Sequence, residues 1–180
     1  MANKNQFILI AITFLLFCSL RADEINDSRK PEGMITIGIG TGYFGPTSYA
    51  GFTFITNNNL FSYRYLKSDE FQFNVEGNYN TPALKLKEYG FLYGRTLRKD
   101  ILELSLSAGV AIVDGAERGK LIQYREYEQK KISTVGIPFE ARFRFEFGIV
   151  NLGGAWYGNI NRQRNTTGAM LELSFKLFGF

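Results

Sequence analysis

The sequence predicts an all-β fold: an antiparallel, up-and-down transmembrane β-barrel of about eight strands. The first observation is alternation, since apolar residues at even positions of segment 102–112 are interleaved with Glu103, serines and small residues. Segment 135–147 repeats it, with apolar side chains at odd positions and charged ones from Glu140 to Glu146 at even positions. A period of two places successive side chains on opposite faces of a strand. The other two observations are the length of these segments and the spacing of the connections between them.

The alternating segments are long. Several run for about ten residues or more, which matches a tilted strand crossing a bilayer and exceeds a typical globular strand. Closure into a barrel is expected, because an open sheet edge in hydrocarbon would leave amides unpaired. The eight predicted strands cover residues 34–43, 48–56, 60–66, 84–97, 101–113, 132–147, 148–160 and 166–178.

The predicted connections differ between the two ends of the barrel. Tight turns are predicted at 57–59, 98–100 and 147–148. The connections at the other end are a short one at 45–46 and longer polar loops at 67–83, 114–131 and 161–165. Short turns at one end and long loops at the other are typical of outer-membrane barrels, whose external loops are the long ones.

Two irregularities are predicted within the strands. Pro138 has no amide hydrogen to donate to a ladder, so we expect a bulge or local irregularity at this residue. Counting back from Phe180, the apolar side chains of the last strand are one residue out of step, and we expect Gly179 to introduce a bulge that corrects the phase.

The amino terminus has the pattern of a secretory signal peptide. Lys4 precedes an apolar run over residues 7–17, which at about eleven residues is shorter than the twenty or so of a membrane helix. We predict cleavage after Ala22, a short periplasmic lead over 23–33 and a barrel domain over 34–180. Cys18 could instead be a lipidation site, although the bulky Phe17 before it disfavours this reading.

Composition excludes several classes of chemistry. Cleavage after Ala22 removes Lys4, Arg21 and no acid, so the formal net charge falls from +4 to +2 and gives no reason to expect nucleic acid as a partner. The mature chain would contain no cysteine, and the whole sequence contains no histidine. Disulfides, thiolate chemistry and histidine-based catalysis or metal binding are therefore absent. We expect no cofactor, no metal and no enzymatic activity.

Aromatic side chains make up 16% of the chain and cluster at strand ends, as in the interfacial girdles of membrane barrels. An ordinary β-sandwich core is the alternative reading. Across residues 34–180 the chain resembles the small bacterial outer-membrane β-barrel family, in the size class of the OmpA membrane domain, OmpX and Ail. The terminal Phe180 resembles that family's signal for the barrel-assembly machinery. The resemblance implies a bacterial outer-membrane location, contact with membrane lipids and lipopolysaccharide, and insertion by that machinery.

The face opposite the apolar one would fill the lumen. An eight-stranded barrel is only wide enough for side chains, so we predict a closed interior of structural ion pairs rather than an open pore or paired catalytic carboxylates. The predicted lumen charge network contains Arg64, Glu88, Glu103, Glu140, Arg142, Arg144, Glu146, Glu172 and Lys176.

The predicted function is a non-enzymatic barrel with a structural or surface-binding and adhesion role through its external loops. Loop 114–131, rich in both charges, is the candidate region for an unidentified extracellular ligand, and a merely solvated hairpin is the alternative. Two other classes stay open. One is a narrow solute channel, and the other is a soluble lipocalin-like ligand-binding barrel, which would need an apolar interior and a polar exterior.

Overall fold

The computed structural model describes residues 30–42, 45–70, 84–123 and 126–179. They form a closed barrel in which each strand pairs with its sequence neighbours and the last pairs with the first, all antiparallel. The strands are β1 (Glu32–Gly42), β2 (Gly45–Thr56), β3 (Asn59–Asp69), β4 (Lys85–Lys99), β5 (Leu102–Gln123), β6 (Glu126–Phe147), β7 (Val150–Asn161) and β8 (Thr166–Phe178). The predicted fold class and strand number are confirmed. No helix among these residues is long and apolar enough to span a membrane.

One end of the barrel carries the three tight turns and both described termini, and we call it the turn rim. The backbone there adopts positive φ at Asn57 and Asn58, at Asp100 and at Gly148. Asparagine, aspartate and glycine tolerate this left-handed region best, which is why these short connections close without strain. We call the opposite end, where β5 and β6 extend beyond the other strands, the ribbon rim. The predicted signal peptide, its cleavage point and Cys18 lie outside the described residues, as does Phe180.

The prediction of a loop at 114–131 is wrong. β4 pairs with β5 as far as Ala116, and β7 pairs with β6 only from Gly136 onward, but β5 and β6 continue together beyond both neighbours. We call residues 117–123 and 126–131 the external ribbon. Residues 117–120, 122 and 127–131 are all half-buried or exposed, so neither face is sealed from the surroundings and alternating hydrophobicity disappears, although backbone pairing continues.

Pro138 interrupts pairing without introducing a bulge. Ala108 pairs with Phe139 and Ala111 with Gly136, so the β5–β6 register is the same on both sides of the gap, and Pro138 itself pairs with Asn159 on β7. Its ring is buried in the lumen. The expected irregularity is therefore a local loss of pairing with β5. The backbone nitrogen of Pro138 faces β5 and has no hydrogen to donate to it.

A bulge does correct the phase of the last strand, but it does not lie at Gly179 as predicted. Gly33 pairs with Phe178 and Met34 with Lys176, so Leu177 is the extra residue on β8. Leu177 and Phe178 consequently both face outward. A Cβ on Gly33 would lie 2.3 Å from the Phe178 ring, so only glycine allows this ring to close over β1.

The polarity of the barrel is the reverse of a soluble protein's. On β1, Ile35, Ile37 and Ile39 are exposed on the outside, whereas Met34 and Thr36 are completely buried. The largest fully buried side chains of the described residues include Arg64 and Arg144. The exposed apolar side chains of the strands include Phe52, Tyr63, Phe91, Leu104, Val110, Ile112, Val135, Ile137, Phe143, Leu152, Trp156, Leu171 and Phe175.

Candidate functional site

All nine residues of the predicted lumen network point inward. The alternation of each strand places them there, because every one shares its parity with buried small or polar neighbours such as Ser105, Ser107 and Ser174. β3 supplies Arg64, β4 supplies Glu88, β5 supplies Glu103, β6 supplies Glu140, Arg142, Arg144 and Glu146, and β8 supplies Glu172 and Lys176.

Arg64 organises the part of the lumen nearest the ribbon rim. Its Nε and Nη2 donate to Glu88 Oε1 at 2.8 and 2.6 Å, and its Nη1 lies 3.3 Å from Glu140 Oε2. Nη2 also donates to the carbonyl of Gly158 at 3.1 Å, and Asn159 donates to the second oxygen of Glu88 at 3.1 Å. The guanidinium thus joins β3, β4, β6 and β7 through one side chain.

Arg142 and Arg144 occupy the middle of the lumen on successive inward positions of β6. Arg142 contacts Glu140, its Nε lies 2.8 Å from Glu172 Oε2, and its Nη2 donates to the Tyr49 hydroxyl at 2.7 Å. Arg144 Nη1 donates to Glu103 Oε1 at 3.0 Å, and its Nε lies 3.9 Å from Glu172. Glu172 therefore sits between two guanidiniums.

Two further residues complete the network near the turn rim, and the sequence reasoning missed both. Arg98 Nη1 donates to Glu32 Oε1 at 2.8 Å, its Nε donates to Glu103 Oε2 at 2.9 Å, and the same Nε lies 3.1 Å from Glu146 Oε1. Lys176 Nζ donates to Glu146 Oε2 at 2.7 Å.

Both residues lie at strand ends that extend further than the sequence pattern predicts. The pattern predicts a tight turn at Arg98 and a periplasmic lead that includes Glu32, whereas β1 begins at Glu32 and β4 continues to Lys99. The alternation of the strands could have identified both residues. Inward-facing positions recur every two residues, so the position after Thr96 is Arg98 and the position before Met34 is Glu32.

Together these contacts form one continuous chain of opposite charges along the barrel axis. In the described residues it passes through Glu88, Arg64, Glu140, Arg142, Glu172, Arg144, Glu103, Arg98, Glu32, Lys176 and Glu146. Buried charges persist when they are paired with opposite charges. Every member of this chain has such a partner, but not every polar atom is hydrogen-bonded: within the described part of the protein, both oxygens of Glu172 lack a hydrogen bond and rely on the nearby guanidiniums of Arg142 and Arg144.

A space of about 690 Å³ opens at the ribbon rim, lined by inward residues such as Thr47 and Met170 and by outward ones such as Ile39 and Leu171. Deeper in the lumen the cavities are small, about 20 Å³ beside Glu88 and Tyr157 and about 10 Å³ beside Arg98. Each of these two is roughly the size that holds one water molecule. Gly42 shows how tight the interior is, since an added Cβ would lie 2.9 Å from the Tyr157 hydroxyl. Within the described ranges no histidine, cysteine or acidic side chains are grouped to hold a metal ion.

The external ribbon is braced at its base and along its length. Lys130 Nζ lies 3.5 Å from Glu117 Oε1, and Arg164 from the β7–β8 connection reaches the other Glu117 oxygen at 3.3 Å. The Arg118 guanidinium stacks on the Tyr127 ring at 5.8 Å and also bonds Glu70 at 2.9 Å. These contacts connect the ribbon to the neighbouring connections at the rim, and the ribbon continues the barrel wall.

A closed eight-stranded barrel with an ion-paired lumen and an apolar outer wall defines the class of small outer-membrane barrels. Solved structures with this fold are similar to the chain. The N-terminal β-barrel domain of OprF from Pseudomonas aeruginosa has a TM-score of 0.56 at 13% identity, covering 81% of this chain and 97% of that one. Ail, the attachment invasion locus protein of Yersinia pestis, gives 0.55 at 9% identity, covering 83% and 99%.

Neisserial surface protein A gives a TM-score of 0.52 at 11% identity, covering 83% of this chain and 96% of that one. No protein-family model and no curated protein matches the sequence. At these identities the similarity is one of fold, and it confirms the predicted resemblance to small eight-stranded outer-membrane barrels.

Proposed function

We propose that this chain is a non-enzymatic β-barrel of a bacterial outer membrane, exported with cleavage after Ala22, whose external ribbon presents a binding surface. The observation that carries the proposal is the reversed polarity: exposed isoleucines, leucines and aromatics surround a core of buried arginines and glutamates. Water strongly disfavours such an exterior, whereas hydrocarbon requires it. Closure of β8 on β1 also satisfies the backbone amides that lipid cannot.

The same observation disfavours the soluble lipocalin-like alternative. A ligand-binding calyx needs an enclosed apolar cavity, but the depth of the lumen is charged and its cavities beside Glu88 and Arg98 are the size of one water molecule. The space of about 690 Å³ at the ribbon rim is open rather than enclosed. The narrow-channel alternative also loses support, because a continuous chain of ion pairs occupies the axis. The lumen network is, on this proposal, structural, and it joins strands that are not neighbours in the sheet.

The partners that follow are the lipids and lipopolysaccharide around the apolar wall and, during insertion, the barrel-assembly machinery. For the ribbon, the fold offers a precedent in Ail, one structure of which contains the heparin analogue sucrose octasulfate. The analogous role here is recognition of an extracellular partner by a ribbon braced on a rigid barrel.

Fractionation combined with electrophoresis tests the proposal. The full-length chain is expressed in a diderm host, outer membranes are separated from periplasm, and samples are compared with and without boiling. We expect an outer-membrane protein that migrates differently when unheated, because the closed barrel resists detergent unfolding. A soluble periplasmic product without a heat-dependent shift would contradict the proposal.

A further inference from the structure

The β6 edge of the external ribbon has backbone groups that face away from β5. The Ser133 amide shows the direction, since it donates to the Gln163 side chain at 2.9 Å on the β7 side. The β5–β6 register shifts by one residue between Arg118, which pairs with Gln129, and Leu121, which pairs with Tyr127, so the extra residue lies on β5. With β6 keeping its period of two, the amides and carbonyls of Lys131, Gln129 and Tyr127 face the same way as that of Ser133. In the described part of the chain β7 pairs with β6 only from Gly136 onward, so these groups have no strand beside them.

We propose that this edge pairs with the same edge of a second copy of the chain, antiparallel and two-fold symmetric about Gln129. The proposal rests on the proposed function, because it requires the ribbon to lie outside the membrane. An unpaired edge is a ready template for another strand, and residues 127–131 are all exposed. The sequence of this edge then determines which strand fits.

The charges of the edge are self-complementary about Gln129. A two-fold axis there places Glu128 opposite Lys130 of the other copy, and Lys130 opposite the other Glu128. Lys130 Nζ also lies 3.5 Å from Glu117 in its own ribbon, so this ammonium would lie between two carboxylates. Tyr127 lies opposite Lys131 in the same way, which brings an ammonium to an aromatic ring. Lysines on an edge normally discourage pairing, but here each lysine would meet a carboxylate or an aromatic ring.

The backbone selects the same register. Tyr127, Gln129 and Lys131 carry the outward-facing amides, so they form the hydrogen-bonded pairs, and Glu128 with Lys130 forms the non-hydrogen-bonded pair in which side chains approach most closely. A register centred on Lys131 would place two lysines opposite each other and would need the Ser133 amide, which Gln163 occupies. Like charges directly opposite are destabilising.

The geometry implies that the two copies belong to facing membranes. Antiparallel strands continue in opposite directions, whereas the β6 strands of two barrels in one membrane run in the same sense along the membrane normal and, being tilted, would cross each other. Gly136, where pairing with β7 begins, is seven residues from Gln129. The two ribbon rims would then be roughly 45 Å apart along the strand direction at about 3.3 Å per residue. Homophilic pairing of this kind would join one cell to another.

Charge-reversing substitutions at residues 128 and 130, combined with a vesicle-clustering measurement, test the proposal. The full chain is reconstituted into two liposome populations with different fluorophores, and clustering is measured by fluorescence cross-correlation. We expect clustering of the unaltered chain, and a fall of about tenfold in self-association for Glu128→Lys alone and for Lys130→Glu alone, because both pairs become repulsive. Mixing the two single variants restores clustering, since every lysine again faces a glutamate, and the double exchange restores self-association.

Lys120→Glu is the matched control, because it makes the same charge change on the β5 strand of the ribbon, away from the pairing edge; clustering should persist. Clustering that survives either single exchange, or that mixing fails to restore, would overturn the register. Absence of clustering by an unaltered, heat-modifiable chain would overturn self-pairing and leave the membrane barrel intact. Failure to insert at all would instead count against the proposed function.

Discussion

Arg64 on β3 and Glu140 on β6 meet across the lumen, with Nη1 3.3 Å from Oε2, although neither strand pairs with the other. Arg64 also holds Glu88 on β4, and both partners are buried. The sheet alone would leave opposite walls of the barrel independent of one another. The ion pairs connect opposite walls of the barrel. The stability of the barrel therefore depends on charges that lie far apart in sequence.

Removing the Arg64 charge should therefore be strongly destabilising. Arg64→Met leaves Glu88 and Glu140 short of a buried cation, and we expect a loss of about 3–5 kcal/mol in the free energy of unfolding. The measurement is urea-induced unfolding in lipid vesicles, followed by the heat-modifiable band. Adding Glu88→Gln should recover part of the loss, because it removes one buried carboxylate that has lost its cationic partner. An unchanged urea midpoint for Arg64→Met would show that the lumen charges do not support the barrel.

The outward face of β1 offers a matched pair of substitutions. Ile37, half exposed at 50%, lies at the middle of the strand, and the exposed Thr41 lies on the same face near the ribbon rim. Ile37→Arg should cost about 2–4 kcal/mol in a bilayer, whereas Thr41→Arg should cost about 0–1 kcal/mol. Vesicle unfolding titrations measure both. Equal, small effects are what a water-exposed surface would give, and they would contradict the lipid-facing assignment.

A filled lumen should not conduct like a porin. A chain of ion pairs occupies the barrel axis, and the cavities beside Glu88 and Arg98 each have room for about one water molecule. In planar bilayers we expect no large stepwise conductance from the purified chain, with a general porin reconstituted in parallel as the positive control. Reproducible porin-sized steps would refute the closed lumen.

The external ribbon should be dispensable for folding of the barrel. Glu117 and Lys130 are directly paired, so replacing residues 118–129 with Asn-Gly closes β5 and β6 through a two-residue hairpin. We expect the shortened chain to reach the outer membrane and keep its heat-modifiable band, because the lumen network and the β4–β5 and β6–β7 ladders are untouched. Binding to extracellular partners should be lost. Failure of the shortened chain to assemble would indicate that the ribbon has a folding role.

Much of the barrel could be predicted from sequence because lipid on one side and side-chain charges on the other impose a strict period of two. The pattern fails where this contrast ends. Residues 117–120, 122 and 127–131 are half-buried or exposed, so this part of β5 and β6 lacks the alternating pattern and is predicted as a loop. Arg98 and Glu32 sit at strand ends, where polar residues also suit turns. The bulge at Leu177 depends on how the Phe178 ring covers Gly33, a contact between chain ends that no local pattern reveals.

Trp156 offers the most direct test of the central claim, that the outside of this barrel meets lipid. It is the single tryptophan of the chain, lies on the outward face of β7 with 46% of its surface exposed, and packs against Phe139 at 5.2 Å. The chain is reconstituted into bilayers containing brominated lipids, and tryptophan fluorescence is compared with its quenching by aqueous iodide. We expect strong quenching by the brominated acyl chains and little by iodide. Strong quenching by iodide with none from the lipid would place Trp156 in water and contradict the account.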